Sequence, residues 1–234
     1  MDEATWLNER HNAQAMVWVL RGTKVTRTKA GKRKLRLFAC ACCRLTWGLL
    51  TDSLLRQAIE VAERFAEGQA SKDELQGAYK SAMRLLGAVT PGTDHREATA
   101  VSMAGHVAHP GAFDAAFYMT ARPITPGANG AWDTGMEAAI CGLLRCVFGN
   151  PFRSSPPLPP AVLAWNDRTV PRLAEAAYDD RRLPEGTLDP GRLAVLADAL
   201  LDAGAEDDTL IEHLRSPIPH VRGCHAVDLI LGRS

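Results

Sequence analysis

Residues 32–50 read K-R-K-L-R-L-F-A-C-A-C-C-R-L-T-W-G-L-L, and their periodicity decides the fold. Leu35, Phe38, Ala39, Cys42, Leu45 and Leu49 recur at spacings of three and four, so on a helix they share one face. Cys40, Cys43, Trp47 and Leu50 repeat the pattern on the neighbouring face. Two adjoining apolar faces predict a helix buried over most of its girth. Lys32, Arg33, Lys34 and Arg36 load its first turn with positive charge, at the end where the helix dipole favours anions. The cations therefore either extend into water or gather around an anion.

Working outward, the same period predicts further helices. Upstream, 3–8 and 13–20 read as short helices, and 22–31 is polar, Thr-rich and reads as a loop. Downstream, Thr51 or Asp52 caps a helix whose stripe is Leu54, Leu55, Ala58, Ile59, Ala62, Phe65 and Ala66, with Gly68 as its stop. Ser71 and Glu74 form a capping box for the next. Helical patterns follow at 97–107, 112–119, 134–148, 170–178, 189–204, 207–214 and 220–231, the fifth of these opened by an Asp189 cap and Pro190. The stretch 122–130, with Pro123, Pro126, Gly127 and Gly130, reads as a loop. No run alternates apolar with polar residues, so no strand is expected. The predicted fold is all-α: an N-terminal helical bundle over 1–150, a Pro-rich strap over 151–162 carrying Pro156, Pro157, Pro159 and Pro160, and a smaller C-terminal helical unit over 163–234.

A chain of 234 residues, 46% hydrophobic and 23% charged, has the composition of a globular protein with a sizeable core. No apolar run reaches the roughly 20 residues that cross a bilayer, and the first residues are polar, so a cytoplasmic protein with no membrane contact is expected. Six cysteines in a chain of this length do not make a disulfide framework; reduced, packed thiols are expected.

Charge is balanced, 27 basic against 27 acidic residues, but not evenly spread. Residues 21–36 hold Arg21, Lys24, Arg27, Lys29, Lys32, Arg33, Lys34 and Arg36 and no acid. Such a loop can bind an acidic protein or nucleic acid, or simply pair with the chain's own acidic surface. Cys40-x2-Cys43 and His220-x3-Cys224 have the spacings of zinc ligands, which would tie the two ends of the chain together. The alternative is that these thiols pack as small hydrophobes and that Val221, Cys224, Val227, Asp228 and Leu231 form one helix face. His95, His106 and His109, with Asp94 and Asp114, form a second possible metal set for a hydrolase-like enzyme, or are histidines at a helix end. Asp179-Asp180-Arg181-Arg182 reads as a partner-binding knob or an internal ion-pair cluster. Gly127-Ala128-Asn129-Gly130 follows no strand and holds no Lys, so it is not a nucleotide loop.

Five segments carry a family resemblance: K-L-R-L-F-A-C-A-C-C-R at 34–44, A-I-E-V-A-E-R-F-A at 58–66, L-L-R-C-V-F-G-N-P-F-R at 143–153, L-A-V-L-A-D-A-L-L-D-A-G at 193–204 and H-V-R-G-C-H-A-V-D-L-I-L-G at 220–232. In order and spacing they resemble a family of helical proteins abundant in planctomycete bacteria, over most of the chain. The resemblance implies a bacterial helical protein and no particular activity. Relatives tend to carry cysteines near the positions of Ala205 and Leu214, where this chain has none. The leading expectation is a non-catalytic interaction module working through residues 21–36. The alternatives are the histidine-based enzyme and a structural zinc protein.

Overall fold

A computed structural model of the chain describes residues 1–121, 134–153 and 156–233. The stretch 122–130 and part of the strap, 154–155, lie outside the described residues. The order is α1 (Glu3–Asn8), α2 (Ala13–Gly22), α3 (Lys29–Arg44), α4 (Ser53–Ala66), α5 (Lys72–Leu86), α6 (His95–Val107), α7 (Ala112–Thr120), α8 (Thr134–Phe148), α9 (Pro160–Asp179), β1 (Arg181–Arg182), β2 (Thr187–Leu188), α10 (Pro190–Asp202), α11 (Asp208–Arg215) and α12 (His225–Ile230). Short 3-10 turns at Lys24–Thr26 and Trp47–Leu49 flank α3. The protein is all-α but for the two-residue ribbon of β1 and β2.

Helix α3 is the axis of the bundle. Every residue from Leu35 to Arg44 is buried. Helices α4, α6, α7 and α8 pack around it, which is why both of its apolar faces were needed. The 3.6-residue repeat of the stretch ends at Leu45, and residues 47–49 form a 3-10 turn rather than continuing the helix. The start is earlier than the charge pattern suggested. Thr28 caps α3 by accepting from the Gly31 N–H, so Lys29 to Arg36 belong to helix and not to a loop. Asp52, Asp189 and Asp207 cap α4, α10 and α11, and Ser71 with Glu74 makes the capping box of α5.

Helix α9 is broken at residues 165–168, where Asn166, Asp167 and Arg168 are left-handed; its second half carries Tyr178 into the core. The buried apolar residues form one cluster running from Trp6 to Ile230. Residues 163–234 therefore lie against α3 and α8 directly, in addition to following the strap. Polar bonds fasten the same seam. The Trp6 indole donates to the Gly149 carbonyl at 2.9 Å, and Arg181 meets Glu63 on α4 through both carboxylate oxygens.

One segment departs from its periodicity in a way that matters below. The apolar repeat at 220–231 reads as a single helix, but α12 begins only at His225. Pro217 and Pro219 cannot continue α11, and residues 216–224 form a bent loop with a turn at 222–223 instead. The ribbon holds this segment in place: the Leu188 N–H donates to the His220 carbonyl at 2.8 Å, and Thr187 bridges to Val221.

Candidate metal centre

The looped segment 216–224 delivers His220 and Cys224 to one point. Gly223 has φ +89°, and a Cβ there would meet Leu37 of α3 at 3.1 Å; its lack of a side chain lets the loop press onto α3 just before Cys224. Helix α8 supplies Cys146 and the last turn of α11 supplies His213. One ligand atom from each of Cys146, His213, His220 and Cys224 falls within 4.8 Å of all the others. Cys146, His220 and Cys224 are buried, and His213 is partly exposed.

The edges of this group fit a tetrahedral ion. With bonds of about 2.3 Å to sulfur and about 2.0 Å to nitrogen, a tetrahedron has sulfur–nitrogen edges of about 3.5 Å. Three of the six edges are 3.3 Å from His213 Nε2 to Cys224 Sγ, 3.8 Å from His220 Nδ1 to Cys224 Sγ and 3.9 Å from His220 Nδ1 to Cys146 Sγ. Outer contacts orient the ligands. The far nitrogen of His220, Nε2, lies 3.3 Å from the Ser216 carbonyl, to which it donates when Nδ1 carries the lone pair that faces the cluster. His225 Nδ1 donates to the Cys146 carbonyl at 3.0 Å. Burial and the neighbouring His213 hold the His225 imidazole at about 4, so it is neutral at pH 7. The Val221 backbone also hydrogen-bonds Cys146 and favours its thiolate.

Their surroundings push the two thiols in opposite directions. Cys146 is held above the ordinary thiol range by its hydrogen bond to Cys224 and by burial. Burial pushes Cys224 the same way, but the hydrogen bond from Cys146 and the rings of His213 and His220 overcome it and hold Cys224 well below that range. Two sulfurs and two imidazoles are the donors that borderline-soft divalent ions prefer.

The expected zinc set of Cys40, Cys43, His220 and Cys224 is corrected by this geometry. His220 and Cys224 do meet thiol and imidazole partners, but these are Cys146 and His213. Cys40 lies against the Ile59 carbonyl at 3.8 Å, and Cys43 against the Met119 sulfur at 3.6 Å, in the apolar packing between α3, α4 and α7. Burial raises both thiols well above their usual range, so they act as hydrophobes. The missed pair had a signal. His213-x6-His220-x3-Cys224, interrupted by Pro217 and Pro219, is a ligand spacing on a loop; Cys146 lay hidden within the apolar pattern of α8.

The histidine set is also separated. His95 opens α6 and His106 lies eleven positions later, about 16 Å along the axis. His106 stacks on Tyr118 at 3.8 Å, its Nδ1 near the Ser102 carbonyl, and His109 meets Tyr79 edge-on while accepting from the Gly111 N–H. His95 lines a separate, largely apolar cavity of about 500 Å³ with Met103, Met119 and Ile140.

The basic stretch divides in two. Arg33 bonds Asp228, Glu67 and the Tyr178 hydroxyl, and Lys34 lies 3.9 Å from Asp228. Arg36 is buried and donates to the carbonyls of Val107, His109 and Pro110, which neutralises the C-terminal end of α6. These three are therefore not partner-binding residues: the chain's own acids and carbonyls hold them. Arg21, Lys24, Arg27, Lys29 and Lys32 remain exposed. In the acid–base run 179–182, Arg181 joins Arg44 in gripping Glu63, and Arg182 pairs with Asp189, so the run is an internal ion-pair cluster.

Comparison with protein-family models, with curated proteins and with solved structures finds no match. No helix among the described residues is long and apolar enough to cross a membrane.

Proposed function

We propose that this chain is a helical protein stabilised by a structural zinc ion, held by Cys146, His213, His220 and Cys224. The observation that carries the reading is the convergence of these four donors, from α8, α11 and the 216–224 segment, within 4.8 Å. Four protein ligands fill a tetrahedral ion's coordination, which is the pattern of structural rather than catalytic sites. Here the ion's role is mechanical. It joins the loop before α12 to α8 in the bundle, at the point where the backbone lies outside any helix and lacks helical hydrogen bonds. The ion takes sulfur as thiolate, so binding releases thiol protons and affinity rises with pH.

An entry path supports the reading. His213 and His225 line a cleft of about 1060 Å³ whose other walls include Arg145, Asp207 and residues 156–159 of the strap. His213 is the ligand on that side, while the other three are sealed inside.

Cobalt substitution tests the assignment. Cobalt(II) added to metal-free protein is expected to give the intense visible bands of tetrahedral coordination and a thiolate charge-transfer band, saturating at one equivalent. Zinc should bleach both. A weak octahedral spectrum, or saturation unaltered by Cys224→Ser, contradicts the proposal.

A further inference from the structure

Five outward cations of residues 21–36 suggest a partner independent of the metal reading. No acidic residue lies between Glu9 and Asp52. Within that span Arg33, Lys34, Arg36 and Arg44 turn inward to carboxylates and carbonyls. Arg21, Lys24, Arg27, Lys29 and Lys32 turn outward, and none has a carboxylate partner among the described residues.

Packing holds the five together. A Cβ on Gly31 would fall 1.9 Å from the Val25 carbonyl oxygen, so the Lys24–Thr26 turn sits directly on the first turn of α3. Lys24 and Arg27 are thereby fixed beside Lys29 and Lys32. The α3 N-terminus adds its own positive end to theirs. Aromatic rings flank this charge. Arg21 lies 4.6 Å from the centre of the Trp18 ring, and Trp18 meets Phe113 and Phe117 edge-on at 6.0 and 5.6 Å. Trp18 is 45% exposed. The acid on α7, Asp114, stands 3.7 Å from His109.

We propose that this face, formed by α2, the Lys24–Thr26 turn, the first turn of α3 and the rings of α7, binds single-stranded nucleic acid. Five cations with no carboxylate partner among the described residues match a run of phosphates, and the half-exposed Trp18 ring beside them matches an unpaired base. An acidic protein segment would satisfy the cations and leave the rings without a use. A duplex would need an element free to enter a groove, and α3 is enclosed from Leu35 onward. Cations and ring faces meet phosphates and base planes rather than base edges, so little sequence preference is expected.

The test uses the full-length protein and a labelled oligothymidylate of about 15 nucleotides, followed by fluorescence anisotropy over a salt series. Five phosphate contacts predict a log–log salt slope of about −3.5. Replacing all five cations by Gln should lower affinity at low salt by more than about tenfold and flatten the slope. Trp18→Ala should lower affinity severalfold while leaving the slope unchanged. The exposed positions of the five cations make loss of the fold an unneeded explanation, and an unchanged melting temperature verifies that. Absence of binding at low salt overturns the proposal. So does an unaltered slope in the Gln variant, tighter binding of a duplex of the same length, or tighter binding of polyglutamate or phosphatidylserine vesicles.

Discussion

Arg33 and Asp228 stand 195 positions apart in the chain, and their side chains bond at 2.7 Å. Arg33 also reaches Glu67 and the Tyr178 hydroxyl, so α3, α4, α9 and α12 meet at one guanidinium. Asp228 is fully buried. Burial pushes its carboxyl up from the usual range and the Arg33 bonds oppose that push. A charge in this position is secured only by its partner.

Removing either partner should therefore cost far more than removing both. Asp228→Leu and Arg33→Met are each expected to lose about 3–5 kcal/mol, and the double variant Arg33→Met/Asp228→Leu less than either alone. Urea denaturation of the four proteins measures this. Additive losses would mean that the two side chains stabilise independently.

Glu63 makes a prediction about pH. It is buried between Arg44 and Arg181. Burial pushes its carboxyl up, but hydrogen bonds and charge from the two arginines outweigh this and hold it at about 2, against an ordinary 4.5. A carboxylate lowered on folding stabilises fully above its unfolded value, and that stabilisation is lost as pH falls through the folded one. Denaturation midpoints should fall between about pH 4.5 and 2, and the Glu63→Gln variant should be less stable at pH 7 with a shallower fall in that window. Parallel pH profiles of the two proteins would contradict this.

Gly31 gives a backbone prediction. With the Val25 carbonyl oxygen 1.9 Å from the place of a Cβ, Gly31→Ala forces the Lys24–Thr26 turn off α3. Helix propensity alone favours Ala at this position by up to about 1 kcal/mol. The overpacking is expected to reverse that sign and cost about 1–3 kcal/mol, read as a lower thermal midpoint. A stabilised Gly31→Ala protein would show that the turn moves freely.

Much of the helical architecture was legible in residues because its causes are local. Asp52, Ser71 and Asp189 cap their helices by contacts within three positions, and the repeat of Leu35, Phe38 and Cys42 reports its buried face directly. The site was only half legible. His220 and Cys224 announce themselves by spacing, whereas Cys146 arrives from 74 positions upstream and its pattern in α8 is that of any apolar residue. Period misled at 220–224, where two prolines and a ribbon contact outweigh an apolar repeat. Charge misled at Arg33, Lys34 and Arg36, because a run of cations does not reveal which acids and carbonyls the fold will bring to it.

Chelation should separate the metal's contribution from the rest of the fold. On the proposed assignment zinc would join the 216–224 loop to α8, so its removal should loosen 216–230 first. Hydrogen exchange of the metal-free protein is expected to quicken at α12 and the preceding loop while α4 and α5 stay protected. Uniform quickening across the bundle would instead mean that the ion supports the whole fold.

The most direct test is metal content by elemental analysis of protein purified without chelators or nickel resin, set beside Cys146→Ser, His213→Ala, Cys40→Ser and Cys43→Ser. One zinc per chain is expected in the parent protein and in both the Cys40 and Cys43 variants, and a large loss in the Cys146 and His213 variants. Zinc that survives Cys146→Ser and His213→Ala together, or leaves with Cys40 or Cys43, would contradict the assignment of the centre to α8, α11 and the 216–224 loop.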